Sequence, residues 1–289
     1  MTQPADAILI RNLYGWDEFE AAVQLQVETW GYDPADIIPR RTFMLAQKIG
    51  GQVLGAFDTA QPGASPQGSG DNLIGFVLSL PGIQPEAESQ SAGADRFYLH
   101  SHMLAVQAAY RNRGLGSRLK LAQREEALSR GIRRMEWTFD PLEIKNAFLN
   151  IHKLGAVIRR YHTDFYGVSS SRLQGGLPTD RLVAEWYLDS PHVTQTLSAG
   201  APSSYGSSYV IEESITVPAS VYRWKASDAD RSRAAHVQLE NRDRFQQAFS
   251  RGLAVTGFVR DAEGNGTYQL SSFTAVKTSI QDAKELSIP

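Results

Sequence analysis

The run Arg111-Asn112-Arg113-Gly114-Leu115-Gly116 comes shortly after an apolar strand end, Leu104-Ala105-Val106, and opens into a long helical pattern. Glycine lets a backbone approach a cluster of oxygens, and an incipient helix N-terminus presents unpaired amides and the positive end of a dipole. With two arginines beside them, these residues describe a pocket for a diphosphate. The glycine spacing does not match Gly-x-Gly-x-x-Gly, the dinucleotide fingerprint at the end of a first strand. Nor does the run close on the Gly-Lys-Ser/Thr of a nucleoside-triphosphate loop.

Around this loop, strand-like and helical stretches alternate. Ile8 to Leu13 reads as a strand and Trp16 to Trp30 as a helix, with Phe19, Val23 and Val27 at helical spacing. A second helix is expected from about Ala35 to Lys48. Val53 to Phe57 and Leu73 to Leu80 form a hairpin around the Gly/Pro/Ser-rich segment 59–71, and Pro81 to Asp95 is a polar loop beside a cleft. Arg96 to Val106 is the central strand, and the helix after it spans about Gly114 to Arg130. Ile132 to Phe139 follows as a strand. Asp140 is the expected N-cap, and Pro141 the first turn, of a helix covering Leu142 to Lys153. Strands are expected at Ala156 to Tyr166 and Leu182 to Leu188. Pro191 to Tyr209, rich in Ser, Gly and Ala, reads as a linker. Beyond it, a helix over Asp228 to Arg251 and a hairpin over Leu253 to Phe273 suggest a small accessory unit.

The balance of 29 Lys+Arg against 31 Asp+Glu, a formal net charge of -2, gives no support for a nucleic-acid surface. With no cysteine, disulfides, thiolate ligands and cysteine catalysis drop out. The start lacks a signal-peptide layout and no apolar run reaches membrane-spanning length, so the expectation is a soluble, cytoplasmic protein with no metal and no membrane partner.

Arg111-x-x-Gly114-x-Gly116 matches the Arg/Gln-x-x-Gly-x-Gly/Ala signature, and on it the chain resembles the GNAT superfamily of acyl-CoA N-acyltransferases. The likeness covers about residues 8 to 188. The runs Leu99-His100-Ser101-His102-Met103, Leu119 to Arg124, Trp137 to Leu142 and Asn146 to Asn150 resemble a narrower group of GNAT-like proteins with a C-terminal extension. The resemblance implies an α/β (α+β) fold with a central, mixed, splayed sheet flanked by helices, plus a small C-terminal α+β subdomain. It divides the chain into a catalytic domain at 1–190, a linker at 191–212 and an accessory subdomain at 213–289. It implies that Leu104, Ala105 and Val106 meet the pantetheine arm of acyl-CoA, and that Arg111, Asn112, Arg113, Gly114, Leu115 and Gly116 clasp its diphosphate. The donor is acetyl-CoA or succinyl-CoA, the acceptor a small-molecule amine such as an amino acid, and a homodimer is compatible.

Direct attack of an amine on a thioester needs a neutral amine and a route for protons. His100 and His102 share a strand face opposite Ser101 and Met103, and imidazole accepts protons near neutral pH. His102 is the first candidate base; packing in the strand is the other reading for both. The family's tyrosine, four residues before the last core glycine, is Ile151 here, counted from Gly155. Tyr161 is the substitute acid considered, against a packing role. Asn146 and Asn150, one helical turn apart, are expected to meet the cofactor, with capping or exposure as the alternative. Arg159 and Arg160 suggest a solvent-facing strand edge. Arg242, on a stripe with Leu239, Phe245 and Phe249, suits a substrate carboxylate or a local acidic partner. A CoA-binding protein without activity and a structural or interaction protein are the rival readings.

Overall fold

The computed structural model describes residues 7–84, 96–198 and 209–273; the polar-loop residues 85–95, the linker residues 199–208 and the tail 274–289 lie outside the described residues. The elements in chain order are β1 (Ile8–Asn12), α1 (Gly15–Trp30), α2 (Arg40–Lys48), β2 (Gln52–Asp58), β3 (Leu73–Ile83), β4 (Phe97–Val106), α3 (Leu115–Ser129) and β5 (Arg134–Phe139). They continue with α4 (Ile144–Ala147), extended by a wider π-helical turn at Phe148–Lys153, then β6 (Val157–His162), β7 (Arg181–Tyr187) and α5 (Pro191–Ser198). The last are β8 (Glu213–Val217), α6 (Val221–Lys225), α7 (Arg231–Ser250), β9 (Leu253–Arg260) and β10 (Gly266–Ser272).

All these strands lie in one ten-stranded sheet, in the order β1-β2-β3-β4-β5-β7-β6-β9-β10-β8. Neighbours run antiparallel except β4 and β5, which are parallel. A parallel pair needs a crossover, and α3 supplies it. Helices α1 and α2 cover one face through Phe19, Leu25 and Phe43, which pack with Phe76, Met103 and Ala105. On the other face α3 places Leu115 and Leu119 against Leu54, Val77 and Val106.

β4 carries the feature that shapes the centre. Its register on β3 passes from Leu78↔Met103 to Ser79↔Ser101, so His102 is an extra residue in a β-bulge. The bulge inverts side-chain parity. Ser101 meets α3 on one side of it, whereas Leu104 and Val106 meet α3 on the other, and Met103 turns to the α1–α2 face. The simple alternation that set Met103 opposite the histidines is therefore corrected: an inserted residue shifts the period of two by one.

The expected accessory segment continues this same sheet. β9 joins β6 at Ile158↔Val255, and Phe245, Val255, Phe258 and Tyr268 share one core with Trp137, Phe139 and Trp186. The edge that β6 would otherwise expose is thereby paired. The stretch read as a linker begins with helix α5, because Val193 buries fully against the main core. The helix placed at Leu142 starts later. Asp140 accepts Leu142 N–H at 2.8 Å in a local turn and binds Lys225 Nζ at 2.8 Å, so α4 begins at Ile144.

Candidate functional site

β4 and β5 part company at the middle of the molecule. β4 pairs with β3 up to Val106 but with β5 only at Leu99↔Met135 and His100↔Glu136. Beyond those rungs the strands diverge into a V. Gln107 N–H bonds Ile74 O on β3, so by antiparallel alternation the peptide groups of Leu104 and Val106 turn toward the V, with Ala105 turned toward β3. The Val106 carbonyl accepts Arg111 Nε at 2.8 Å, tying the loop to the strand end.

The loop that follows is built to leave amides open. Asn112 and Gly114 adopt φ of 60° and 79°, which turns the chain sharply into α3 with Gly114 as its N-terminal cap residue and no side-chain cap. Among the described residues, no amide from Asn112 through Ser117 donates to a protein acceptor; the first bond into this turn is Arg118 N–H to Gly114 O at 3.1 Å. A side chain at Gly114 would meet no protein atom within 4 Å, and one at Gly116 would meet Leu104 at 3.6 Å. Open amides, a positive helix end and two arginines around an empty-sided glycine fit a diphosphate. Tyr110 anchors the approach: its hydroxyl donates to Asp58 Oδ2 at 2.6 Å, and Arg113 lies over its ring at 5.6 Å.

His100 and His102 sit at the apex of the V with ring centroids 6.0 Å apart. Burial, and then the neighbouring His100, hold His102 below the ordinary imidazole pKa, so it is neutral at neutral pH. His100 Nδ1 lies 3.9 Å from Glu136 Oε1.

Other expected residues go elsewhere. Asn146 is exposed while Asn150 is 4% exposed, so they do not share a face; the π-helical turn between them widens the spiral and rotates Asn150 inward. Ile151 is buried and offers no proton. Tyr161 lies on β6, two strands beyond β5, and donates to Asp180 Oδ2 at 2.5 Å. Burial and that carboxylate push its phenol pKa far up. Arg242 spends its fork on the same carboxylate, Nε–Oδ2 2.8 Å and NH2–Oδ1 3.0 Å, in place of a substrate. Both residues thus belong to the packing of α7 on the sheet.

The sequence reading missed a charged network at the apex. Glu136 binds Arg160 at 2.7 Å and Arg134 at 3.2 Å, and Glu185 binds Arg160 at 3.1 Å and Arg159 at 2.5 Å. Arg159 and Arg160 are therefore paired, where a solvent-facing strand edge was expected. Burial alone would raise the Glu136 carboxyl, but His100, Arg160 and Arg134 outweigh it and leave its pKa at about 2. The signal was the strand alternation Arg134-x-Glu136 opposite Glu185-x-Tyr187, legible only once β5 and β7 are known to pair. Lys120 was missed too: it sits on the buried stripe of α3 with Leu119 and Gln123. The α1–α2 and β6–β7 loops meet, and the second also reaches β5. Ser170 accepts Asp33 N–H at 3.0 Å and its own N–H donates to Asp36, while the Tyr166 hydroxyl lies 2.8 Å from Thr138 on β5. Among the described residues no group of three His, Asp or Glu is placed to hold a metal, and no helix is long and apolar enough to cross a membrane.

Comparison with known proteins agrees with this geometry. Residues 59–150 match the model of the Acetyltransferase (GNAT) family. Among solved structures, Arabidopsis thaliana NAA60 in complex with acetyl-CoA is similar, with 16% identity and a TM-score of 0.50 over 63% of this chain and 99% of that one. The ribosomal-protein-S18-alanine N-acetyltransferase from Escherichia coli is 15% identical with a TM-score of 0.45, over 63% of this chain and 95% of that one. No curated protein matches the chain. The matched segment contains the V-forming strand and the open-amide loop, so residues 59–150 of this chain are a GNAT acetyltransferase family match set within the fold shared with NAA60.

Proposed function

We propose that the protein transfers an acyl group, acetyl or succinyl, from acyl-CoA to the primary amine of a small metabolite, an amino acid being the expected type. The observation that carries this reading is the open row of amides at Asn112 to Ser117, set beyond a strand that leaves its parallel neighbour after His100. In this reading Arg111 to Gly116 hold the diphosphate and the peptide groups of Leu104 to Val106 line the pantetheine path. Asn150, rotated inward by the π-helical turn, is the asparagine that approaches the same arm, while Asn146 faces solvent. The donor brings a thioester-activated acyl group.

The chain's own residues supply the rest. His102, neutral through burial, takes a proton from the attacking nitrogen. Glu136 stays ionised at the apex and holds Arg134 and Arg160 around the histidine face. The V keeps donor and acceptor in line, which converts a bimolecular encounter into a local one. No acyl-enzyme is required, in keeping with a chain that has no cysteine. Residues up to 190 provide this site, and the segment from 213 supports it from the far side of the sheet.

The S18-alanine enzyme is named for a ribosomal protein, so the acceptor class here rests on this chain's own loops. The bridge from Asp33 and Asp36 to Ser170 ties the α1–α2 and β6–β7 loops together, and Tyr166 of the second loop reaches Thr138 on the Glu136 face of β5, which favours a compact amine over a polypeptide. The test is calorimetric binding of acetyl-CoA, succinyl-CoA and CoA, followed by thiol release with single amino acids and with short peptides. Binding with turnover on amino acids supports the proposal. Binding without turnover on any amine leaves a CoA-binding protein, and absence of binding points to a structural or interaction role.

A further inference from the structure

The Ile151 position leaves the departing sulfur without the proton donor that a tyrosine would give, and Tyr161 is bound to Asp180 two strands away. One amine lies where those groups do not. Lys120, on α3, reaches the apex of the V and is 4% exposed. Its Nζ donates to Ser101 Oγ at 2.7 Å and stands 3.6 Å from the centroid of the Trp137 ring. Ser101 and Trp137 each directly follow the last paired rung of β4 and β5, His100↔Glu136. The amine therefore spans the two strands at the point where they separate, on the face opposite the histidines.

The Ser101 hydrogen bond and the Trp137 ring offset only part of the cost of burying an ammonium there. A buried ammonium is costly without a carboxylate. Among the described residues no carboxylate lies within ion-pair distance of Lys120. Charged groups on the surrounding elements are engaged elsewhere: Glu136 with Arg134 and Arg160, Arg124 with Leu188 O, and Glu126 with Arg130. His100 and His102 lie across the sheet. The stem is long enough to have packed as methionine or leucine would, so the amine itself needs an account.

We infer that Lys120 is a catalytic residue that gives its proton to the sulfur as the thiolate leaves. The inference rests on the acyl-CoA reading above. As the acceptor nitrogen bonds to the carbonyl carbon, the carbon–sulfur bond breaks and its electron pair stays on sulfur. One proton passes from Lys120 Nζ to that sulfur, leaving a neutral amine. The proton released by the acceptor nitrogen goes to His102 on the opposite face. Lys120 regains a proton from water once the products depart. Burial, with no opposing carboxylate, pushes the Lys120 pKa well down from the usual lysine value, so its ammonium gives up a proton more readily than an exposed lysine does.

The test reads the sulfur directly, without turnover. CoA is bound to the wild-type protein and to Lys120→Met, a substitution of similar length that removes only the amine, and the ultraviolet absorbance of the thiolate is followed against pH. Lys120→Gln is a second variant, and binding of desulfo-CoA reports that each protein retains its fold and loop. In the wild type, bound CoA ionises about tenfold more readily than in either variant, because the lysine stabilises the thiolate as a charged pair. Desulfo-CoA binds all three equally, and kcat with acetyl-CoA falls in both variants while KM holds. Equal thiol ionisation in wild type and variants, with CoA bound to all, overturns the role of Lys120 and leaves the acyl-CoA reading intact. Failure of the wild type to bind either CoA or desulfo-CoA overturns both.

Discussion

Arg242 and Asp180 form a two-pronged ion pair, 2.8 Å and 3.0 Å, across the join between α7 and the start of β7. Asp180 is wholly buried, and its second task is to accept the Tyr161 hydroxyl. The arginine that suggested a substrate contact is thus a clamp between the C-terminal segment and the start of β7. Lys225 makes a second clamp on Asp140 and Glu143, at 2.8 Å and 3.0 Å, at the entry to α4.

Replacing Arg242 with Leu strands a buried carboxylate and lowers unfolding free energy by about 3–5 kcal/mol. Denaturant titration gives the value. Acidic and neutral acceptors are affected alike; selective loss of acidic ones would restore Arg242 as a substrate contact.

Gly114→Val forces a β-branched residue into φ of 79° and directs its side chain into the open space above the amides. The strain costs roughly 1–2 kcal/mol of stability. Acyl-CoA affinity drops by an order of magnitude or more, measured by calorimetry on protein whose fold is checked by circular dichroism. Unchanged affinity would remove the loop from the binding site.

His102→Ala lowers kcat about 100-fold, the smaller end of the usual contribution of a positioned base. Its CoA affinity stays as in the wild type. A base works in its neutral form, and the His102 pKa is lowered, so the acid limb of the wild-type kcat/KM profile falls below the ordinary imidazole range. A limb at or above that range would exclude His102.

Glu136 gives an acid-stability signature. Its folded pKa of about 2 lies below the ordinary 4.5, so its contribution is present above 4.5 and is lost as pH falls toward 2. Glu136→Gln is less stable at neutral pH and loses that part of the wild-type slope. Unfolding free energies across this pH interval provide the check, and parallel curves for the two proteins would contradict the assignment.

The phosphate loop could be read directly from residues because its chemistry is local. Glycine at Gly114, the arginines beside it and a helix beginning at Leu115 act within a few residues of one another, and the backbone there needs little from the rest of the chain. The same holds for most helices and strands, whose periodicity reflects one buried face. Readings that relied on regular spacing failed where spacing was interrupted. The bulge at His102 moved Met103 to the other face, and the π-helical turn separated Asn146 from Asn150.

Partnerships between distant residues had no local mark. Asp180 chooses Tyr161 and Arg242, Glu136 chooses Arg160, and Lys120 reaches Ser101 only because β6, β7, α3 and α7 settle around one sheet. Continuation of the sheet through β9 was equally silent in the chain, since an edge strand and a central strand carry similar patterns. Short-range order follows from the conformations and burial that each residue permits. The fate of a buried charge depends on which opposite charge the packed backbone brings within reach, and chain separation alone does not encode that distance.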